Sequence, residues 1–180
     1  MRAWPLLLLL LAAPALAQPA PPRDLDRAFE ALREAPDERG AHMAEMAIRQ
    51  IWSRQASAAV GLLLNRGVRN LRANQAGDAL EDFDAAITLA PQVADAWHWR
   101  AQALAIVGDS VAAATDLREC LRLEARHFAA LASLSRLQEE AGDLRGALRS
   151  HEAALAIHPR LAGGAERLRE LTRLAEGEAM

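Results

Sequence analysis

A 34-residue period runs through the middle of the chain and constrains its fold more than any single residue does. With segments 60–93, 94–127 and 128–161 aligned, one column holds Ala79, Ala113 and Ala147. A second holds Ala86, Cys120 and Ala154, a third Gly67, Ala101 and Ser135, and a fourth Leu63, Trp97 and Leu131. Pro91 and Pro159 close the first and third segments, where the second has Ala125. Small residues recurring at this spacing mean two helices pressed together at fixed points, three times over. Such a unit cannot bury its apolar face alone, so neighbouring units must stack. The period therefore predicts an all-α, right-handed solenoid of helical hairpins.

The N-terminus is read apart from the fold. Arg2 precedes the unbroken apolar run of residues 6–11, and Ala15-Leu16-Ala17 has the small-x-small pattern of a signal-peptidase site. Residues 1–17 are therefore expected to be a cleaved signal peptide, too short to span a bilayer. Residues 18–22 include three prolines and read as an extended spacer. The expected location is the periplasm, with no stable membrane span after cleavage. The chain has no Lys, and Ala makes up 42 of its 180 residues, which reflects the codon bias of a GC-rich bacterial genome.

Composition excludes several classes. Without residues 1–17 the chain carries 20 Arg against 24 acidic residues, a net of −4. That balance is not basic enough for nucleic acid and not acidic enough for a solvating tail. Cys120 is the single cysteine, so no internal disulfide can form, and its place in a small-residue column marks it as a buried apolar filler.

Along the chain, Leu25, Ala28, Phe29 and Leu32 define a first helix over 24–34. Pro36, Asp37 and Glu38 open a second, with Met43, Ala47 and Ile51 on one line and Ala44, Ile48 and Trp52 beside it. Residues 23–57 thus form a hairpin outside the period, either a cap or a degenerate repeat. The repeats fill 58–161. Gly108-Asp109 and Gly142-Asp143 mark the turns inside the second and third. The first has Asn74-Gln75 there and Gly77-Asp78 farther on, so its turn is expected to be looser or its first helix longer. Residues 162–180 supply a capping helix over 165–175, with Leu168, Leu171 and Leu174 apolar, and a tail.

These columns resemble the tetratricopeptide repeat, whose pattern is W-x2-L-G-x2-Y, then A-x3-F, then P. The second repeat reads Trp97-x2-Arg100-Ala101-x2-Leu104, then Ala113-x3-Leu117. The first reads Leu63-x2-Arg66-Gly67-x2-Asn70, then Ala79-x3-Phe83 and Pro91. The third reads Leu131-x2-Leu134-Ser135-x2-Gln138, then Ala147-x3-His151 and Pro159. Asn70, Leu104 and Gln138 depart from the family's Tyr, which predicts looser packing in that column. The whole chain is similar to short exported bacterial proteins of this family. Arg66 and Arg100 accompany Asp82 and Asp116 in the first two repeats, while the third has Leu134 and Ser150. Charges that vanish together predict an Arg–Asp pair between the two helices of each of the first two repeats.

The resemblance implies a non-enzymatic interaction module that binds a peptide or partner helix in its concave groove. The groove positions it implies are Leu64, Asn65, Val68 and Arg72, then Asp95, His98, Trp99 and Gln102, then Ala129, Ala132, Ser133, Arg136 and Glu140. Trp99 is the strongest candidate contact, because Trp is over-represented among binding hot spots. Trp97 holds the family's packing column. The Lys/Asn/Arg clamp by which chaperone-binding members hold a terminal carboxylate is replaced here by Leu64, Val68, Trp99, Ala129 and Ser133. The resemblance also leaves open an accessory role in envelope assembly or cytochrome maturation, and a homo-oligomer that fills its own groove. No cofactor and no metal are expected: His42, His98, His127, His151 and His158 make no H-x3-H pair, and no nucleophile elbow or phosphate loop is present. An enzyme with an unrecognised site is the rival class, and a pocket holding His98 with Asp95 or Glu140 would favour it. Arg118, Arg122 and Arg126 form a stripe expected on the convex face, balanced by Glu119 and Glu124.

Overall fold

The computed structural model describes residues 23–177, so the expected signal peptide and spacer lie outside the described residues. All regular structure among these residues is α-helical. The helices are α1 (Arg23–Arg33), α2 (Glu38–Ser53), α3 (Ala58–Arg72), α4 (Ala76–Leu89), α5 (Ala94–Ile106), α6 (Ser110–Leu123), α7 (Phe128–Glu140), α8 (Leu144–Ile157) and α9 (Gly164–Gly177).

Local chemistry places the ends. Asp37, Ser57, Asp109, His127 and Asp143 each accept a bond from the backbone N–H three residues on, satisfying one orphan donor of the first turn. Asn74, Gly108 and Gly142 end the first helix of each repeat with φ of 59°, 89° and 80°. The same closing bond follows each, from the next N–H to the carbonyl of Asn70, Leu104 or Gln138. The turn of the first repeat is therefore neither looser nor later than the others. Asn tolerates the left-handed conformation that Gly supplies elsewhere, and Gly77-Asp78 fall inside α4.

Helices α3, α5 and α7 form an inner layer and α4, α6 and α8 an outer one, with α9 laid against α8. The small-residue columns are the points of closest approach. Ala79, Ala113, Ala147, Ala86, Cys120 and Ala154 are all fully sealed from solvent. A Cβ at Gly67 would lie 2.7 Å from Phe83 Cζ, so only glycine lets that ring pass beneath α3. Burial pushes the Cys120 thiol far up, with the charges of Asp95 and Glu124 adding to the effect. It is a packing group rather than a nucleophile.

Both expected ion pairs form. Arg66 Nε donates to Asp82 Oδ1 at 2.6 Å, and Asn70 Nδ2 donates to the other oxygen at 3.0 Å. Arg100 holds Asp116 with two bonds, of 2.7 and 2.8 Å, and reaches back to Asp84 of the preceding repeat. In the third repeat Ser150 donates to Gln138 instead. Asn70 and Gln138 therefore join the two helices by hydrogen bonds where an aromatic would have packed. Trp97 is structural: its indole N–H donates to the Pro91 carbonyl, and Arg100 lies over its ring.

The hairpin α1–α2 is neither a cap nor a fourth repeat stacked on the first. It folds back and docks on the third repeat and on the loop leading into it. Phe128 is buried among Leu25, Phe29, Leu32, Ile48 and Trp52, and Ile157 and Leu161 pack against the same cluster. Trp52 stacks on His127 at 4.7 Å between ring centres. Arg126 lies over the Phe29 ring and donates to Asp26, while Arg160 donates to the carbonyls of Ala35 and Pro36. The hairpin thereby lies along the edge where α5 and α7 begin.

Candidate functional site

The inner layer presents a concave face, and α2 overhangs part of it. Arg49 of α2 lines a recess on each side of itself. The recess toward the first repeat, about 210 Å³, is bounded by Trp52, Leu64, Asn65, Val68, Asp95 and Trp99. The recess toward the third, about 560 Å³, is bounded by Trp99, Gln102, Ala129, Ala132, Ser133, Arg136 and the α9 residue Arg167. A third hollow between α5 and α7 is bounded by Gln102, Arg136 and Glu140 together with Ile106. Trp99 is half-buried and borders both recesses beside α2. Of the sequence-predicted groove residues, only Arg72 stands away from these recesses, exposed on the last turn of α3.

His98 differs from its neighbours. It borders the larger recess, yet it is only 4% exposed and so lies largely beneath the groove surface. Its Nε2 is 3.2 Å from Gln102 Nε2, which also donates to Ser133. Its Nδ1 has no hydrogen-bond partner. Burial holds His98 well below the usual histidine range, with His127, Arg49 and Arg136 acting in the same direction.

His127 was not singled out by the sequence. The Nδ1 atom of this N-cap residue accepts from the Ala130 N–H, so the proton sits on Nε2 and is donated to Asp95 at 3.1 Å. Asp95, His98 and His127 bring three potential metal-ligand atoms within 4.8 Å of one another. This is the buried ionisable cluster that a catalytic or metal reading would need. The hydrogen bonding argues against both. A metal on Nε2 requires the other ring nitrogen to be a donor, whereas His127 Nδ1 is already an acceptor in the helix cap. The same bond leaves His127 without a free basic nitrogen for proton transfer.

The other candidate groups are engaged separately. His151 donates to the Gly164 carbonyl and fixes α9, while His158 caps α8 with its Nε2 3.6 Å from Glu45 of α2. The two are thus directed to different partners. Burial also lowers His158, as does Arg49, against the opposing pull of Glu45. The expected convex stripe is broken: Arg122 pairs with Glu119 on α6, but Arg126 lies past the end of that helix and turns to α1, pairing with Asp26 and with Glu124. No helix among the described residues is long and apolar enough to cross a membrane.

No protein-family model matches the chain. A TPR repeat-containing protein of Rhizobium etli is 29% identical over 143 residues, which are 79% of this chain and 70% of that one. Among solved structures, the Sgt2 TPR domain of Aspergillus fumigatus superposes with a TM-score of 0.65 at 17% identity, covering 69% of this chain and 83% of that domain. The first TPR of RPAP3 (Spaghetti), bound to an HSP90 peptide, gives 0.63 at 16%, covering 67% and 95%. The MamA protein gives 0.55 at 17%, over 85% of this chain and 88% of that one. A repeat that recurs at this length, in a chain that superposes on these domains, gives the chain the tetratricopeptide-repeat fold.

Proposed function

We propose that this chain is a periplasmic protein-interaction module that takes an extended peptide or a partner helix on the concave face of α3, α5 and α7. The observation that carries the reading is the position of Trp99, a large aromatic bordering two recesses at the centre of the inner layer. Such partly sealed aromatics dominate binding energy in protein interfaces. Structures of like fold with bound peptides support a peptide-binding role. Their acidic chaperone peptides do not transfer, because Leu64, Val68, Trp99, Ala129 and Ser133 stand where a clamp would be. Export is supported by the apolar run and the Ala15-Leu16-Ala17 site. A non-catalytic role is supported by the hydrogen bonds that occupy His127 and Asp95.

The test is crosslinking and pull-down from the native periplasm with wild-type chain and Trp99→Ala, read by mass spectrometry. A partner captured by the wild type and lost from the variant supports groove binding. Identical partners in both samples would overturn the assignment of the groove.

A further inference from the structure

The polar imperfections of this fold are gathered in one place. Three buried side-chain nitrogens among the described residues have no hydrogen-bond partner: Trp52 Nε1, His98 Nδ1 and His158 Nδ1. Trp52 belongs to the hairpin and packs against the third repeat. His158 lies at the end of that repeat, facing Glu45 and Arg49 of α2 and the edge of Phe128. His98 lies beneath the groove that Arg49 overhangs. Each orphaned group gives up its bonds to water on burial, a cost that opening recovers. Elsewhere the solenoid joins its helices through satisfied pairs such as Arg100–Asp116. The docking of α1–α2 is thus strong in apolar contact and is bonded through Arg126 and Arg160, while the buried nitrogens of Trp52, His98 and His158 stay unsatisfied.

We propose that α1–α2 is a strap over the groove, closed while His98 and His158 are neutral and released when they take up protons. The His98 ring faces Asp95 and Gln102 on its own helix, His127, Ser133 and Arg136 of the third repeat, and Arg49 on α2, while Cys120 of α6 meets the His98 backbone. Asp95, the acid nearest to it, already accepts a hydrogen bond from His127. A cation at His98 would meet Arg49 and Arg136, with Asp95, already bonded to His127, as the nearby carboxylate. A cation at His158 would gain Glu45 but face Arg49 as well. Both rings therefore bind protons more readily once α2 has lifted and water reaches them, so acidification favours release. That release uncovers the inner face is the regulatory consequence, and this part alone rests on the groove-binding reading.

Hydrogen exchange on the full chain at about pH 7.5 and about pH 5, corrected for intrinsic exchange, tests the strap without any partner. The expected result is a loss of about tenfold or more in protection over residues 23–53 at the lower pH. Helices α3 to α8 keep their protection. A His98→Asn/His158→Asn double variant should give the same hairpin protection at both pH values, whatever its starting level. The proposal is overturned if wild-type residues 23–53 keep their protection at low pH, or lose it only together with α3 to α8. It is equally overturned if the double variant responds as the wild type does. Strap release without any Trp99-dependent partner would reject the groove reading and leave the strap standing.

Discussion

Asp116 is only 4% exposed, and Arg100 reaches it with two bonds from the facing helix. Removing one member of such a pair costs more than the pair itself contributes, because the other is left buried and alone. Arg100→Met should therefore lower stability by about 3–5 kcal/mol, and Arg100→Met with Asp116→Leu should recover most of that loss. Urea midpoints of the two variants check this, and a double variant as unstable as the single one would contradict it. The pair was legible because the chain repeats: two repeats carry both charges and the third carries neither. His127 was not legible, because its column holds Val93 and Leu161, and its stacking partner Trp52 lies outside the period.

Helices were the most readable elements, since the small-residue columns and the turn residues agree on where each begins and ends. Asn74 shows how local chemistry settles an ambiguity, taking a positive φ where the other repeats use glycine. Of the two apolar lines read on α2, that of Ala44, Ile48 and Trp52 is buried, while Met43 and Ala47 of the other are exposed, and the pattern could not say what the buried line meets. The answer lies in Phe128, Ile157 and Leu161, all far along the chain. Trp52 anchors the contact, touching Phe29 within the hairpin and His127 and Phe128 beyond it. Truncating a buried Trp costs about 3–5 kcal/mol, and here the loss falls on the docking of a single hairpin. Trp52→Ala should therefore expose Arg49 within α2 to trypsin while α3 to α8 resist digestion. Equal cleavage at Arg49 in wild type and variant would show that Trp52 does not hold the hairpin in place.

At the scale of the whole molecule, His98 and His158 make stability depend on pH in a definite direction. Both are held below the usual histidine range in the folded chain, so the unfolded chain binds more protons in mildly acid solution. Their contribution is fully present above the unfolded value, about 6.5, and is lost as pH falls below it. The urea midpoint should accordingly drop between about pH 7.5 and about pH 5, and His98→Asn should flatten that drop. An equal drop in the variant would assign the acid sensitivity to carboxylates instead.

The fold-back of the hairpin also gives the chain a temporal order. In an ordinary solenoid every unit touches only its neighbours, so folding spreads along the chain as it is made. Here Asp26 meets Arg126 and Ala35 meets Arg160, separations of 100 and 125 residues. At about 5–20 residues per second of synthesis, the first helices wait seconds for the surface that will receive them. If export precedes folding, that wait passes to the far side of the membrane. Either way, the hairpin is made before the third repeat that receives it, and until that repeat is in place the contacts that hold α2 over the inner face do not exist.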